Sequence, residues 1–296
     1  MPKIIITGAC GFIGSNIAKR LMREGYKTTN VDNCSFGTSL NLPDAIIRNS
    51  DFNDLADAEL NQHDILIHCA TSNIIYAMDN PIETFQNNAT NTIRLFQKFK
   101  GKIIYTSTAS VYGQADIIPI SEDLEIRTNN AYDQSKYIAE LFLKQRGNYT
   151  TLRLSNVYGI NQRADNPFCG VIGRLAHNIV SGKFVNINGN GTQTRDFTYI
   201  DDVVSAIVLA IEKDSCNTEI NIASGEETDI IGLINIMKIV VKMDAIINYV
   251  EPRKIDDIKR RCLNIDKAKK ILGWTPKIFI EEGISMTIER VKKSIL

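Results

Sequence analysis

The chain has 296 residues, enough for one or two domains with a large core, and its 44% hydrophobic and 23% charged content are those of an ordinary globular protein. A formal net charge of zero removes the electrostatic argument for nucleic acid or an anionic membrane as partner; no apolar run reaches a membrane span, and the first strand begins so close to Met1 that no signal peptide is expected. The six cysteines (Cys10, Cys34, Cys69, Cys169, Cys216, Cys262) and three histidines are scattered without a C-x-x-C pair, so the spacing predicts neither a metal site nor a disulfide framework, and reduced thiols in a cytoplasmic protein are expected.

The apolar run Lys3-Ile4-Ile5-Ile6 reads as a strand, Thr7-Gly8-Ala9-Cys10-Gly11-Phe12-Ile13-Gly14 as a turn, and Ser15 to Glu24 as a helix closed by Gly25. Strand, glycine turn and helix are the context of a dinucleotide-binding loop. Gly8 permits the sharp turn, Gly11 lets the backbone approach a pyrophosphate, and Gly14 lets the helix pack closely. The helix N-terminus then offers free N–H groups to the phosphates. The second strand, Thr28 to Val31, ends at Asp32-Asn33. A carboxylate there accepts hydrogen bonds from the adenosine ribose hydroxyls and repels a 2′-phosphate, which favours NAD over NADP; the alternative is a turn-forming Asp.

Ile46 to Phe52 reads as a short strand that places Asp51 and Phe52 near an adenine. Asp64 to Ala70 is a buried parallel strand whose small end, Cys69-Ala70, permits close approach of a cofactor. His68 within it is either a base or a structural side chain. Asn80 to Phe99 is a helix with an apolar face at Ile82, Phe85, Ala89, Ile93 and Phe96, interrupted by Asn87 and Asn88; one of those amides meets the cofactor or faces solvent.

Lys102 to Tyr105 is a strand followed by Thr106-Ser107-Thr108-Ala109-Ser110-Val111-Tyr112-Gly113, hydroxyls at the sheet edge where ligands bind in open α/β sheets. Tyr132-Asp133-Gln134-Ser135-Lys136 opens a helix running to about Lys144, with Tyr132 and Lys136 at i and i+4 on one face. A phenol with a pKa near ~10 is a poor base at neutral pH unless neighbouring positive charge favours the phenolate. Helices are further expected over Gly173–Ser181, Asp202–Lys213, Ile230–Lys242 and Ile265–Leu272. The alternation implies an α/β doubly wound parallel sheet over 1–160, with 190–213 returning to it and 161–296 forming mainly a smaller substrate-binding lobe.

The motifs at 7–14, 32–33, 79–92, 106–113, 132–136, 153–159 (RLSNVYG), 188–204 (NGNGTQTRDFTYIDDVV) and 264–274 (NIDKAKKILGW) together resemble the extended short-chain dehydrogenase/reductase family of nucleotide-sugar epimerases and dehydratases, over nearly the whole chain. The resemblance implies a Rossmann fold, NAD as cofactor and no metal. It implies Thr108 as the catalytic hydroxyl, Tyr132 as the base and Lys136 as the residue that binds the nicotinamide ribose and tunes the Tyr. Asn88 would lie beside nicotinamide and substrate, Asn156 would touch the substrate phosphates, and Arg195 and Arg253 would clamp the diphosphate. A guanidinium fork suits that role; for Arg195 an ion pair with Asp196 or Asp201 is the alternative.

In that family the dehydratases carry Asp-Glu after the catalytic Thr and the decarboxylases a Glu. Ala109 and Ser110 stand there instead, and the Cys-His pair of the GDP-fucose synthases is not matched. The expected reaction is therefore epimerisation at C4 of a nucleotide-diphosphate sugar, of the UDP-glucose/UDP-galactose type, through a transient 4-keto sugar. The alternatives are a 4-ketosugar reductase using NAD(P)H, an epimerase of a UDP-uronic or UDP-N-acetyl sugar, and a non-catalytic NAD-sensing protein. The tail Arg253 to Cys262 departs from the family's R-x-G-D pattern and leaves Arg261 or Cys262 as the substrate gatekeeper. The resemblance also implies a homodimer.

Overall fold

The computed structural model describes residues 1–162, 166, 168–214, 216–252 and 258–295. Strands and helices alternate from the start, as the apolar pattern predicts. The strands are β1 (Lys3–Thr7), β2 (Lys27–Asp32), β3 (Ile47–Asn49), β4 (Ile65–His68), β5 (Lys102–Thr108), β6 (Tyr149–Leu154), β7 (Asn156–Tyr158), β8 (Phe184–Asn188), β9 (Thr194–Tyr199), β10 (Thr218–Ile222), β11 (Glu227–Asp229) and β12 (Ile246–Val250). Seven of them form one sheet in the order β10-β6-β5-β4-β1-β2-β3, every pair parallel. The order reverses between β1 and β4. In an open α/β sheet that reversal leaves a crevice at the carboxyl ends of the two strands.

The central strands are buried on both faces, which is why they read as continuous apolar runs rather than as alternations. Ile4, Ile6, Ile65, Ile67 and Ile104 join one core; Ile5, Leu66, Ile103 and Tyr105 join the other, with Leu95, Phe96, Ala139 and Leu143 from covering helices. Each such fully buried aliphatic side chain is worth roughly 1.5–3 kcal/mol. Helix Phe12–Arg23 follows β1 and packs against helix Ile200–Glu212.

Beyond the large sheet, β11-β9-β7 and β12-β8 make two small sheets. β10 lies past the 190–213 segment expected to return, yet it forms the edge of the large sheet beside β6. β9, inside that segment, belongs to a small sheet instead. Helices Val171–Val180, Ile230–Val241 and Asp266–Leu272 fall where their periodicity predicts. The chain closes with a further helix, Ile280–Ile295, which the sequence pattern does not predict. No described helix is long and apolar enough to cross a membrane.

The expected Asn80–Phe99 helix is interrupted. It comprises Pro81–Phe85, a π-helical turn over Gln86–Asn91, and Thr92–Lys98. The wider turn rotates Asn87 and Asn88 toward the sheet edge: Asn88 takes the N–H of Ser72 (2.8 Å) and donates to its carbonyl (2.8 Å). Such π-bulges are concentrated at functional sites.

Helix Ala131–Arg146 begins with a reciprocal cap. The Asn130 side chain accepts from the Asp133 backbone N–H (3.0 Å) and donates to the Asp133 carboxylate (2.6 Å). Gly147, at φ +73°, ends it. One turn beyond Lys136, the fully buried Glu140 receives Arg153 of β6 at 2.6 Å. Arg153 Nη1 also donates to the Tyr112 hydroxyl (2.9 Å), which donates to Asn221 of β10 (2.8 Å). Removing one partner of a buried ion pair strands the other charge. Arg153→Met should therefore destabilise the protein by about 3–5 kcal/mol in urea unfolding, and the double variant Glu140→Leu/Arg153→Met should recover most of that loss.

Candidate active site

The crevice predicted by the strand order is a cleft of about 430 Å³. Gly8, Gly11, Phe12, Ile13, Gly14, Asp32, Asn33, Phe52, Cys69 and Ala70 line it, as the sequence suggests. Its geometry explains the small residues. Gly8 adopts φ +75°, and a Cβ there would lie 2.5 Å from the Ala70 N, while a Cβ on Gly14 would lie 2.1 Å from the Gly8 carbonyl oxygen. The loop, the helix and the end of β4 are thus in backbone contact. Gly11 stands at the helix N-cap with no side chain capping the first turn, so the free N–H groups face the cleft. These features fit a dinucleotide pyrophosphate.

Asp32 is almost fully buried, and each carboxylate oxygen accepts one backbone N–H, from Cys10 (2.8 Å) and Cys34 (2.7 Å). Burial raises its pKa above the ordinary value, and those two hydrogen bonds oppose the rise. Asn33 donates to Asp51 at 3.0 Å. Asp51 itself does not line the cleft; it caps the turn at Asn53 (2.9 Å), and Ser50 and Phe52 take its expected place on the wall. Asn88 is likewise absent from the lining because both ends of its amide are spent on Ser72; Asn87 lines the cleft instead. Phe36, Tyr76 and Phe168 complete the wall as an edge-to-face aromatic cluster with centroids 5.1–6.2 Å apart. No local pattern marks those three, which come from separate loops and a short helix.

His68 is structural. Its ring nitrogens bond the Thr7 (2.6 Å) and Thr92 (3.0 Å) hydroxyls, and it has no exposed surface. Burial and Lys136 hold its pKa well below the ordinary imidazole value.

The predicted catalytic residues converge at the end of β5, beside the cleft rather than in its lining. Tyr132 lies beside Thr108, whose Oγ1 accepts the Ser110 N–H at 3.1 Å. Burial and Asp133 push the Tyr132 pKa upward, and the Thr108 hydroxyl opposes this. Lys136 is buried with Nζ 4.2 Å from the centre of the Tyr105 ring, and Cys69 on the cleft wall is among its electrostatic neighbours. Burial lowers the Lys136 pKa to about 7, against the pull of Cys69 and Glu140.

Asn156 opens β7 and Arg195 lies on the adjacent β9. Arg195 donates to the carbonyls of Thr194 (2.7 Å) and Ile258 (2.8 Å). Asp196 is committed elsewhere: it accepts from Ser224, Gly225 and Leu263. Arg253 lies outside the described residues. Of the two gatekeeper candidates, Arg261 is the one turned toward the Tyr132 helix. It is 7% exposed, its electrostatic neighbours are Asp133 and Arg195, and its Nε and Nη2 have no hydrogen-bond partner among the described residues. Burial and Arg195 lower its pKa to about 10. Asp133 is pushed up to about 6 by burial. Cys262 instead neighbours Asp196 and Glu227.

The cysteine spacing concealed one juxtaposition. β1 and β2 are adjacent, so Cys10 and Cys34 meet around Asp32, and the three ligand atoms lie within 4.8 Å of one another.

The lowered Lys136 pKa has a measurable consequence. Between about 7 and the ordinary lysine value of 10.5 the unfolded chain binds a proton that the folded chain does not, so this group adds stability as pH rises through that window. Lys136→Met should be more stable than wild type at pH 7, with the difference shrinking toward pH 10; parallel urea titrations at several pH values would read it.

The NAD dependent epimerase/dehydratase family model matches residues 4–223. A putative UDP-glucose 4-epimerase of Methanocaldococcus jannaschii is 32% identical, covering 98% of this chain and 99% of that protein. The UDP-glucose 4-epimerase of Thermotoga maritima, solved with UDP-glucose, superposes with a TM-score of 0.92 at 31% identity over 99% of this chain and 100% of its own. The UDP-glucuronic acid 4-epimerase of Bacillus cereus, solved with UDP-glucuronic acid and NAD, gives 0.90 at 28% identity, with 99% of each chain covered. The glycine cradle, the buried Asp32 carboxylate and the Thr108, Tyr132 and Lys136 side chains therefore lie in the fold of an NAD-dependent family, and this chain is a member of the NAD-dependent epimerase/dehydratase family.

Proposed function

We infer that the protein epimerises C4 of a UDP-hexose, with Thr108, Tyr132 and Lys136 as its catalytic residues. The observation that carries this is the juxtaposition of Thr108 and Tyr132 at the carboxyl edge of the sheet, with Lys136 one turn along the same helix, beside a glycine-cradled cleft. NAD, when bound, supplies hydride acceptance from one carbinol carbon and its return. The chain's own residues do the rest. Thr108 holds the reacting hydroxyl against Tyr132. Tyr132 takes that proton at Oη and gives it back. The Lys136 charge favours the phenolate that burial and Asp133 disfavour.

In this reading Asn156 and Arg195 hold the diphosphate while the sugar turns over. Residues 1–160 hold the dinucleotide, and most of 161–296 covers the sugar nucleotide, with β10 returning to the large sheet. A homodimer through helix Ala131–Arg146 fits the exposure of Ile138 (38%) and Leu141 (40%) on it. Ala109 and Ser110, lacking carboxyl groups, disfavour dehydration or decarboxylation.

The test is a proton NMR time course with UDP-galactose and trace NAD. Appearance of UDP-glucose without stoichiometric cofactor supports the epimerase; turnover of a 4-keto sugar only with stoichiometric NADH would replace it with the reductase. Tyr132→Phe should lose at least ~10²-fold in kcat while nucleotide binding persists.

A specific observation favours a second substrate, a uronic sugar: two guanidinium nitrogens of the buried Arg261 have no hydrogen-bond partner among the described residues. If UDP-glucuronic acid is the substrate, Arg261→Ser should lower kcat/KM for it by roughly 10–150-fold, the worth of a charged hydrogen bond of ~1.5–3 kcal/mol, and leave UDP-glucose turnover equal or higher.

A further inference from the structure

We propose that Cys10, Asp32 and Cys34 form a binding site for a soft divalent cation such as Zn²⁺ or Cd²⁺, whose occupation competes with the dinucleotide. Two thiol sulfurs and a carboxylate oxygen within 4.8 Å of one another are the donor set such a cation takes. The cluster is held by backbone rather than by chance side-chain contact. Cys10 belongs to the glycine loop after β1, Cys34 to the loop after β2, and the Asp32 carboxylate bridges them through one N–H from each. Cys34 adopts φ +55°, a left-handed conformation uncommon outside glycine, which turns its loop back over the first. The loop is then tied down where Thr38 N (3.2 Å) and the Asn41 amide (2.9 Å) both donate to the Cys10 carbonyl. Asp32 and Cys10 are buried and Cys34 is half-buried, so the cation enters from the Cys34 side and a water fills its fourth position.

On binding, the two S–H bonds break, their protons pass to the buffer, and two metal–sulfur bonds and one metal–oxygen bond form. At metal–sulfur lengths of about 2.3 Å the three donors must close up, a movement that falls to the Cys34 side chain. The same carboxylate lines the dinucleotide cleft. Drawn onto a cation, it no longer accepts hydrogen bonds from a ribose, so metal and dinucleotide exclude each other. A hard cation such as Mg²⁺, which prefers oxygen donors, is not held.

The experiment titrates the reduced, nucleotide-free protein with Cd²⁺ alone and reads the ultraviolet thiolate-to-cadmium charge-transfer band. The expected result is saturation at one equivalent, no response to Mg²⁺, at least a tenfold weaker response in Cys34→Ser, and an apparent affinity about 100-fold weaker when NAD is present at 100 times its own Kd. Cys34→Ser is the informative variant because its position is half-buried; its unchanged NAD affinity would show that it is folded, and Cys10→Ser serves as the second. Absence of the band in the reduced protein, or a band unchanged in both serine variants, overturns the site. A pair that is found only as a Cys10–Cys34 disulfide, and takes no metal once reduced, overturns it in favour of a redox pair. A band that persists undiminished under saturating NAD overturns the competition.

Discussion

The site depends on the burial of one polar stripe. Tyr132, Lys136 and Glu140 recur at four-residue spacing on helix Ala131–Arg146, and Lys136 and Glu140 are almost completely withdrawn from water. A helix does not bury an ammonium and a carboxylate unaided. Arg153 on β6 neutralises Glu140 through a close fork, Ser107 donates to the same carboxylate, and the Tyr105 ring faces the ammonium. Such pairs contribute little net stability compared with apolar replacements. Their effect is geometric: they allow one rotation of the helix, the rotation that brings Tyr132 to Thr108.

A second constraint operates across the sheet. The glycine loop, the first helix and the end of β4 approach at backbone distances, so the glycines at 8 and 14 are steric necessities of one crossing. That crossing leaves uncapped N–H groups at the start of helix Phe12–Arg23 and presents them to the cleft. The π-helical turn contributes from the other side, since Asn88 grips the Ser72 backbone and so shapes the rim following β4. The cleft-lining groups and the Thr108, Tyr132 and Lys136 set are therefore mounted on separate rigid frames.

The electrostatics of the substrate side are less balanced. Arg261 and Arg195 lie close enough to repel, and Asp133 is the acidic group beside Arg261. A buried guanidinium with unused donors is costly unless something anionic completes it. This is the physical basis for weighing an acidic sugar against a neutral one, in a family whose members are named for both.

Much of this was legible in the sequence because its causes are local. Continuous apolar runs identify doubly buried strands, glycines at 8, 11 and 14 identify a tight crossing, Asn130 with Asp133 forms a cap, and Tyr132 with Lys136 must share a helix face because the helix has 3.6 residues per turn. What depended on pairing at long range was not legible. The sequence suggested Asp51 and Asn88 for the cleft wall, but hydrogen bonds to Asn33 and Ser72 take them away, and Asn87 with the Phe36–Tyr76–Phe168 cluster stands there instead. Which of Arg261 and Cys262 neighbours helix Ala131–Arg146 depends on how the tail packs, and a one-residue shift in register would exchange them. Cys10 and Cys34 look unrelated along the chain and become neighbours only because β1 and β2 pair in parallel. Residue types and local periodicity thus determined the fold class, and the motifs named the candidate catalytic set, whereas the side chains that line the cleft were decided by tertiary contacts, because a side chain already satisfied by a distant partner is no longer available to the cleft.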